Sequence, residues 1–192
     1  SPVAVPGAEV LTRSAKQLIR QGASRAAIAE ELGAQIRASH AKEVCPALAF
    51  VLNGVGSNAS AELVAATRDI LKEHDLHPSP YLAELLLRNF LSLRLQEEFK
   101  EVLAELEAEA GVTATVGVLA LRSALAASDF GAAMDYIRRF AAALKASIGA
   151  TPSSSPQQLI QQLLQLAMQR ESLPALLAEL ASCGLLGAWV FE

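Results

Sequence analysis

Residue types that carry chemistry are sparse in this chain, and only one small group of them lies close together. The three histidines are His40, His74 and His77, and the last two lie three residues apart with Asp75 between them. Histidine and carboxylate side chains at such spacing can bind a metal ion. No further ligand cluster accompanies them, and Pro78 follows at once. We therefore interpret His74 and His77 as loop histidines and expect no metal site.

Motifs of catalysis are also missing from the sequence. It contains no Gly-x-Ser-x-Gly elbow, no phosphate-binding loop and no paired-carboxylate motif. The two cysteines, Cys45 and Cys183, lie far apart and have no metal-type spacing. That pattern indicates two buried free thiols in a reducing compartment. The sequence therefore predicts a protein that is not an enzyme and that needs no cofactor.

One glycine-rich segment could bind a nucleotide. Residues 54–59 read GVGSNA, follow an apolar run and match the G-x-G-x-x-A outline of a dinucleotide-binding turn. Such a turn places pyrophosphate on the amides of a helix N-terminus. It also needs a second parallel strand that ends in an acid about 20 residues later, but the pattern after Asn58 is helical. We favour a turn between two helices and keep dinucleotide binding as a minor alternative.

A second alternative is a DNA-reading helix-turn-helix at residues 22–40. Ile28, Leu32 and Gly33 have the spacing of that motif. A recognition helix would begin after Gly33 and carry the polar residues Gln35, Arg37, Ser39, His40 and Lys42. The acidic balance of the chain argues against it. We therefore expect an ordinary helix pair, with Gly33 at a turn or a close helix contact, and no DNA partner.

Composition and charge narrow the class of partner. The chain has 192 residues, of which 52% are hydrophobic and only 5% aromatic, and its formal net charge is −4. An acidic chain has no overall electrostatic attraction to nucleic acid or anionic membranes, so RNA contact would need a local basic stripe. No apolar run reaches the ~18 residues of a membrane span. The chain begins Ser-Pro-Val without an initiator Met, which suggests a processed chain or fragment and leaves a lost targeting peptide open.

The elements that must position these residues are helices, and the clearest of them repeat. Apolar residues recur at spacings of three and four, which is typical of amphipathic helices. Ala133 and Tyr136 follow Phe99 and Val102 by 34 residues, and Arg122 follows Arg88 by the same number. A fixed period in this range predicts stacked helix–turn–helix units. Since one such unit cannot bury its apolar face alone, its neighbours must complete the core.

Capping residues and periodicity together predict an all-α fold of about five helix pairs. Outside the repeat at 81–144 we predict helices over Ala8–Gln21, Ser24–Ala38, Ala47–Val55, Asn58–His74, Pro156–Gln169 and Ser172–Cys183. Ser79-Pro80 is typical of an N-cap followed by the first helical residue. We expect four pairs in an array over 1–148, with the clearest repeats at 81–114 and 115–148. A linker-like insert at 149–155 would precede a fifth pair and C-terminal cap over 156–192.

The repeat resembles the pentatricopeptide family. Residues 128–140 (SDFGAAMDYIRRF) fit the second helix of that family, with a small or acidic turn, an Ala, paired apolar residues and a large apolar residue. Residues 96–106 (QEEFKEVLAEL) fit it with Phe99 in place of the usual Ala. Tetratricopeptide repeats are the close rival. The resemblance implies a right-handed α-solenoid of antiparallel helical hairpins.

The resemblance also implies single-stranded RNA binding along the first helices, one base per repeat. The positions that would read a base are occupied by Glu84 and Val118, and the closing position by Ala114. None of these makes the family's usual reading pair. Arg88 and Arg122 lie at the same phase of the first helices and are the candidate phosphate contacts. Arg138 and Arg139 lie on a second helix, and we expect them to be solvated.

Two hypotheses on function follow. The first is a pentatricopeptide-like module associated with RNA or a ribonucleoprotein, acting in RNA metabolism or translation in a mitochondrion or plastid. The second is a protein–protein scaffold or adapter subunit of a large assembly. Acidity, Ala-rich faces and the missing base readers favour the second. Both predict protein partners, and the first adds single-stranded RNA.

Overall fold

The computed structural model describes residues 5–148 and 155–187, and within these ranges the fold is all-α, as predicted, with no strand. The first of its two compact units, Ser1–Glu109 (unit 1), contains α1 Ala8–Arg20, α2 Arg25–Ser39, α3 Val44–Val55, α4 Ala61–Glu73, α5 Pro80–Leu93 and α6 Gln96–Glu109. Unit 2 contains α7 Ala114–Ala126, α8 Phe130–Arg139, α9 Ala141–Ile148, α10 Ser155–Gln169 and α11 Leu173–Ser182. None of the described helices combines the length and hydropathy that crossing a bilayer requires.

Polar side chains cap the helices of the repeat at equivalent positions. The Ser79 hydroxyl accepts a hydrogen bond from the Leu82 amide, and Pro80 is the first residue of α5, which confirms the predicted start. Thr113, 34 residues later, accepts from the Val116 amide at the start of α7. Each cap satisfies one of the amides that a helix start leaves without a partner. The period of 34 therefore extends to the helix starts.

The turns that follow six of the described helices also share one geometry. In each turn one residue has positive φ, between 52° and 67°, and these residues are Gly22, Asp75, Arg94, Ser128, Glu171 and Gly184. At Arg94 the next amide, of Leu95, donates to the Phe90 carbonyl over 2.9 Å, which is a Schellman motif. Ser128 repeats this pattern 34 residues later. The turn is thus part of the repeated unit, although neither residue is the glycine that this backbone conformation favours.

The second copy of the repeat departs from the first after Arg139. In the first copy α6 runs without a break from Gln96 to Glu109, but in the second copy Phe140 leaves the helical region, with φ −111° and ψ 20°. The chain then continues as α9. Phe140 stacks on Tyr136 with ring centroids 5.6 Å apart and is 3% exposed. The predicted repeat at 115–148 therefore contains three helices rather than two.

The chain divides into two compact units, Ser1–Glu109 and Ala110–Glu192. The boundary falls at the end of α6, five residues before the predicted end of the first copy at 114. Of the predicted linker-like insert at 149–155, residues 149–154 lie outside the described residues, and Ser155 begins α10. Of the predicted C-terminal cap, residues 188–192 also lie outside the described part, while Leu185 is buried in unit 2.

In unit 1 the helices contact one another in two rows. α1 contacts α3, and α3 contacts α5; we call these helices the first-helix row. α2 contacts α4, and Arg68 of α4 bonds to Glu105 of α6; we call these helices the second-helix row. Each first helix also contacts the second helix that follows it. Both rows contribute fully buried side chains, which include Leu11, Leu48 and Phe90 from the first and Ile28, Leu63 and Phe99 from the second.

In unit 2 the same kinds of contact occur around α7 and α8. α10 contacts α7, and α11 contacts α8, so the last two helices pack on the pair that carries the second copy of the repeat. The additional helix α9 contacts α7, α8 and α10. Gly117 of α7 faces this helix, since a Cβ added there would lie 3.6 Å from the Ala143 Cβ.

The two minor alternatives from the sequence are wrong at the level of the fold. Residues 44–55 form a helix, not the strand that a dinucleotide-binding turn requires, and Gly54 belongs to that helix. The proposed recognition helix after Gly33 does not exist as a separate element, because α2 runs through Gly33. A Cβ added at Gly33 would lie 3.8 Å from Ile70 Cγ1 of α4. Gly33 therefore marks a close helix contact.

Candidate functional site

The four predicted RNA-contact residues lie on two first helices in different units. On α5 the Arg88 Nη2 lies 2.6 Å from the Glu84 Oε1, so the cation is held by a carboxylate one turn away. On α7 Val118 is half-buried and Arg122 is exposed. Among the described residues Arg122 has no salt-bridge partner. The position expected to read a base in the first copy thus carries a carboxylate that neutralises the candidate phosphate contact.

Arginines of the second helices are bonded to carboxylates on neighbouring second helices. Arg25 of α2 bonds to both oxygens of Asp69 on α4, over 2.6 and 2.5 Å. Arg68 of α4 bonds to both oxygens of Glu105 on α6, over 2.8 and 2.5 Å. Paired bonds of this kind fix the orientation of both side chains. A further pair joins Arg37 to Glu73.

Unit 2 contains an ion pair of the same kind. Arg138 of α8 bonds to both carboxylate oxygens of Glu179 on α11, over 3.1 and 2.9 Å. The expectation that Arg138 is only solvated is therefore wrong. Arg139 bonds to Asp135 one turn earlier and lies over the Tyr136 ring, 5.8 Å from its centroid. Both arginines thus have partners within unit 2.

The pairs in unit 1 shift the pKa values of their members. The hydrogen bond from Arg68 lowers the pKa of the Glu105 carboxyl, and the Arg68 charge adds to this, while burial opposes it. Arg25 lowers the pKa of Asp69 by the same causes. The pKa of each guanidinium is raised in turn by the hydrogen bond to its carboxylate. The four groups are therefore held in their charged forms.

A groove runs along α4 beside α6 in unit 1, and we call it the α4–α6 groove. Its main cavity has a volume of about 550 Å³. It is lined by Arg25, Ala61, Glu62, Ala65, Arg68, Lys72, Phe90, Leu95, Glu97, Glu98 and Glu101. A second cavity of about 220 Å³ shares Arg68 and Lys72 with the first and continues to His77. All of its lining residues also belong to unit 1.

The apolar and the charged side chains that line the groove differ in exposure. Ala61, Ala65 and Leu95 are half-buried and offer apolar surface, and Phe90 closes the floor behind them. The rim carries the carboxylates of Glu62, Glu97, Glu98 and Glu101. The cations Arg25 and Arg68 are neutralised by Asp69 and Glu105. The groove therefore presents apolar floor and surplus negative charge.

The rim carboxylates differ in whether they have a partner. Glu97 lies 3.3 Å from the Lys100 Nζ, one turn along α6. Glu62, Glu98 and Glu101 form no salt bridge with any residue in the described ranges. Lys72 is the cation of the lining that has no carboxylate partner there. The charges of Glu98 and Glu101 nevertheless act on Arg25 and Arg68 and raise the pKa of each guanidinium. A basic partner can therefore approach these carboxylates without breaking a salt bridge.

The histidines and cysteines do not assemble into a site. His74 and His77 follow the end of α4 and precede α5, so they are loop residues as predicted. No group of three His, Cys, Asp or Glu side chains that could hold a metal ion occurs within residues 5–148 and 155–187. Cys45 and Cys183 are free but only half-buried, which corrects the expectation of buried thiols. The Cys45 thiol donates to the His77 carbonyl over 3.6 Å.

Sequence reasoning missed the groove and the ion pairs that border it. The partners lie 37 residues apart in Arg68–Glu105, close to the repeat period of 34, and 44 residues apart in Arg25–Asp69, ten more than the period. Opposite charges separated by about one repeat were the available signal.

Comparisons with protein-family models, with curated proteins and with solved structures find no match to this chain.

Proposed function

We propose that this chain is a non-enzymatic helical-repeat scaffold that binds a protein partner through the α4–α6 groove. The observation that carries this proposal is the groove itself, with its apolar floor and its exposed rim carboxylates, of which Glu62, Glu98 and Glu101 form no salt bridge with a described residue. Protein interfaces combine an apolar centre with a polar rim in this way. Surplus negative charge repels the phosphates of RNA but attracts a basic protein surface.

The proposal includes a solenoid architecture. The contacts within the first-helix row and within the second-helix row support antiparallel hairpins that stack side by side, as helical repeats do. We further propose the right-handed sense that the pentatricopeptide resemblance implies. An experimental map that resolves the helices of one unit would determine the hand, and a left-handed succession of helices would contradict it.

Single-stranded RNA binding is a second candidate, and one observation favours it. Arg88 and Arg122 are both exposed on first helices at the same phase of the repeat. Arg122 has no salt-bridge partner among the described residues, so it is available to a phosphate. Against this stands the Glu84–Arg88 pair, which removes the matching charge from the first copy.

One pair of measurements separates the two candidates. The first is titration of the chain with mixed-sequence single-stranded RNA at low and at physiological salt. If the chain binds RNA through its phosphates, the affinity must fall steeply as the salt concentration rises. The variant Arg88→Ala with Arg122→Ala must then show a weaker dependence of affinity on salt. We expect no such binding. RNA binding with this signature would contradict the scaffold proposal.

The second measurement is purification of the tagged chain from its native cells, with and without nuclease treatment. A scaffold retains a stoichiometric protein partner after the nucleic acid has been digested. Release of every partner by nuclease would instead favour an RNA-tethered module. The test variant is Glu98→Gln with Glu101→Gln, which removes two carboxylates from the groove and should retain less partner. Glu30→Gln with Glu43→Gln is its matched control for charge, because both glutamates are exposed in unit 1 and neither lines the groove.

A further inference from the structure

The α4–α6 groove has the length of a short helix. Its lining on α4 extends from Ala61 to Lys72, and eleven residues of helix rise about 16 Å, or three turns. The second cavity carries the same path onward to His77. A partner helix of three to four turns can therefore lie along α4 over the whole groove.

The walls of the groove are held in place before any partner arrives. Arg68, whose side chain is only 11% exposed, bonds to Glu105 and so links α4 to α6 across the groove. Arg25 and Asp69 link α2 to α4 at its border. A preformed surface loses less conformational entropy on binding than a flexible one. The groove is therefore suited to rigid docking.

The floor of the groove allows a partner helix to come close to α4. Ala61 and Ala65 lie one turn apart on α4, and their small side chains allow the side chains of a second helix to enter. Leu95 is half-buried and supplies further apolar surface, whereas Phe90 is 1% exposed and adds almost none. An apolar row at spacings of three and four on the partner would match this floor.

The rim determines the sign of the partner's charge. Glu98 and Glu101 lie three residues apart on one face of α6, and Glu62 lies on α4. Lysine or arginine beside the apolar row would reach these carboxylates, and long basic side chains keep their charge at the rim while their stems pack on the floor. Acidic residues or phosphates would meet repulsion there.

We propose that the α4–α6 groove binds an amphipathic helix of a protein partner that flanks one apolar row with lysine or arginine. This inference rests on the proposed scaffold function and specifies the chemistry of the partner. We expect neither RNA nor an acidic helix to bind in this groove, and the experiment tests both.

The test uses three labelled synthetic peptides of about four helical turns. They share one leucine face and carry lysine, glutamine or glutamate on the other positions. Fluorescence anisotropy with the full chain measures their affinities at low and at physiological salt. We expect the order lysine, then glutamine, then glutamate, with the preference for lysine reduced by salt.

Two groove variants and one control locate the binding. Glu98→Gln with Glu101→Gln should weaken the lysine peptide about tenfold, as the loss of two exposed charge pairs predicts. Ala65→Leu, which fills the floor, should weaken the lysine and the glutamine peptides alike. The control Glu30→Gln with Glu43→Gln should change affinity by less than about twofold, since it removes the same charge elsewhere in unit 1. Circular dichroism verifies that each variant is folded.

The possible outcomes distinguish a failure of the proposed helix-binding groove from a failure of the proposed scaffold function. Equal binding of the lysine peptide by wild type and both groove variants would overturn the groove assignment, while protein binding at another surface would stand. Absence of lysine-peptide binding, or preference for the glutamate peptide, would overturn the partner chemistry. RNA binding that Arg88→Ala with Arg122→Ala abolishes, without peptide binding, would overturn both.

Discussion

Gly54 provides the sharpest test of how the first-helix row packs. It lies in α3, and an added Cβ would come within 2.7 Å of the Thr12 Cγ2 and 3.2 Å of the Thr12 Oγ1 on α1. Thr12 cannot easily withdraw, because it is 9% exposed and its hydroxyl donates to the Ala8 carbonyl over 3.3 Å. Its branched side chain also has few rotamers in a helix. Gly54→Ala should therefore push α1 away from α3.

The expected cost follows from two opposing terms. Carbon atoms in contact prefer roughly 3.5–4.0 Å, so the Cβ of Gly54→Ala needs about 1 Å more room than the contact with Thr12 allows. Overpacking of that degree costs about 1–3 kcal/mol. Alanine gains up to about 1 kcal/mol over glycine as a helix former, and less here because Gly54 is next to the end of α3. The free energy of unfolding should therefore fall by about 1–2 kcal/mol.

A double-mutant cycle isolates the contact. Thr12→Ala removes the two offending atoms and leaves the Thr12 Cβ at an ordinary 3.6 Å. In that background Gly54→Ala should be neutral or stabilise by about 0.5 kcal/mol, which gives a coupling energy of about 2 kcal/mol. Urea unfolding followed by circular dichroism measures each corner of the cycle.

The matched control is Gly131→Ala in α8, whose added Cβ would meet only the Asp129 Oδ1 at 3.6 Å. It should leave stability unchanged or raise it. An equal cost for Gly54→Ala with and without Thr12 would refute the steric reasoning. It would also show that Gly54 matters for some property other than the packing of α1 on α3.

Two further predictions concern the turns and the ion pairs. Ser128 has φ 53°, a backbone conformation that costs free energy in residues other than glycine. Ser128→Gly should therefore raise the free energy of unfolding by about 0.5–1 kcal/mol, whereas Ser128→Ala should not. Equal effects of the two substitutions in urea unfolding would show that the backbone at Ser128 is not strained. Arg68→Met should cost about 1–2 kcal/mol at neutral pH. Because Arg68 lowers the pKa of Glu105 from 4.5, the pair's contribution is complete above that pH and is lost as pH falls through the lower folded-state value. The variant should therefore lose less stability than wild type between neutral and acidic pH, and parallel pH profiles would rule this out.

Local signals were sufficient to predict helix starts where caps are strong. Ser79-Pro80 predicted the start of α5, and the predicted helix Ser24–Ala38 agrees to one residue at each end with α2, whose N-cap is Ser24. The predicted start of α3, Ala47, is three residues later than the observed start at Val44. Pro46 lies in the first turn of α3, where a missing amide hydrogen costs no hydrogen bond. The start of α4 was placed too early, because Ser60 and not Asn58 is the cap.

Contacts between distant residues were beyond those signals. Nothing local distinguishes Arg138, which bonds to Glu179, from a solvated arginine, since its partner lies 41 residues away. The break at Phe140 likewise has no helix-breaking residue to predict it, because Arg139-Phe140-Ala141 contains neither Gly nor Pro. The groove needs the rims of α4 and α6 to be brought together. The sequence contained the carboxylates of that rim, but only the stacking of helices defines the cavity between them.

The adjacent residues Arg68 and Asp69 have a consequence for the mechanics of unit 1. Asp69 binds the preceding second helix and Arg68 the following one, so one dipeptide joins three helices through charge. Apolar contacts join the helices within both rows, because both rows contribute fully buried side chains. Salt screens exposed ion pairs more than buried ones, and it does not weaken apolar burial. Rising ionic strength should therefore loosen the link through Arg25, whose side chain is 53% exposed, before the link through Arg68, whose side chain is 11% exposed.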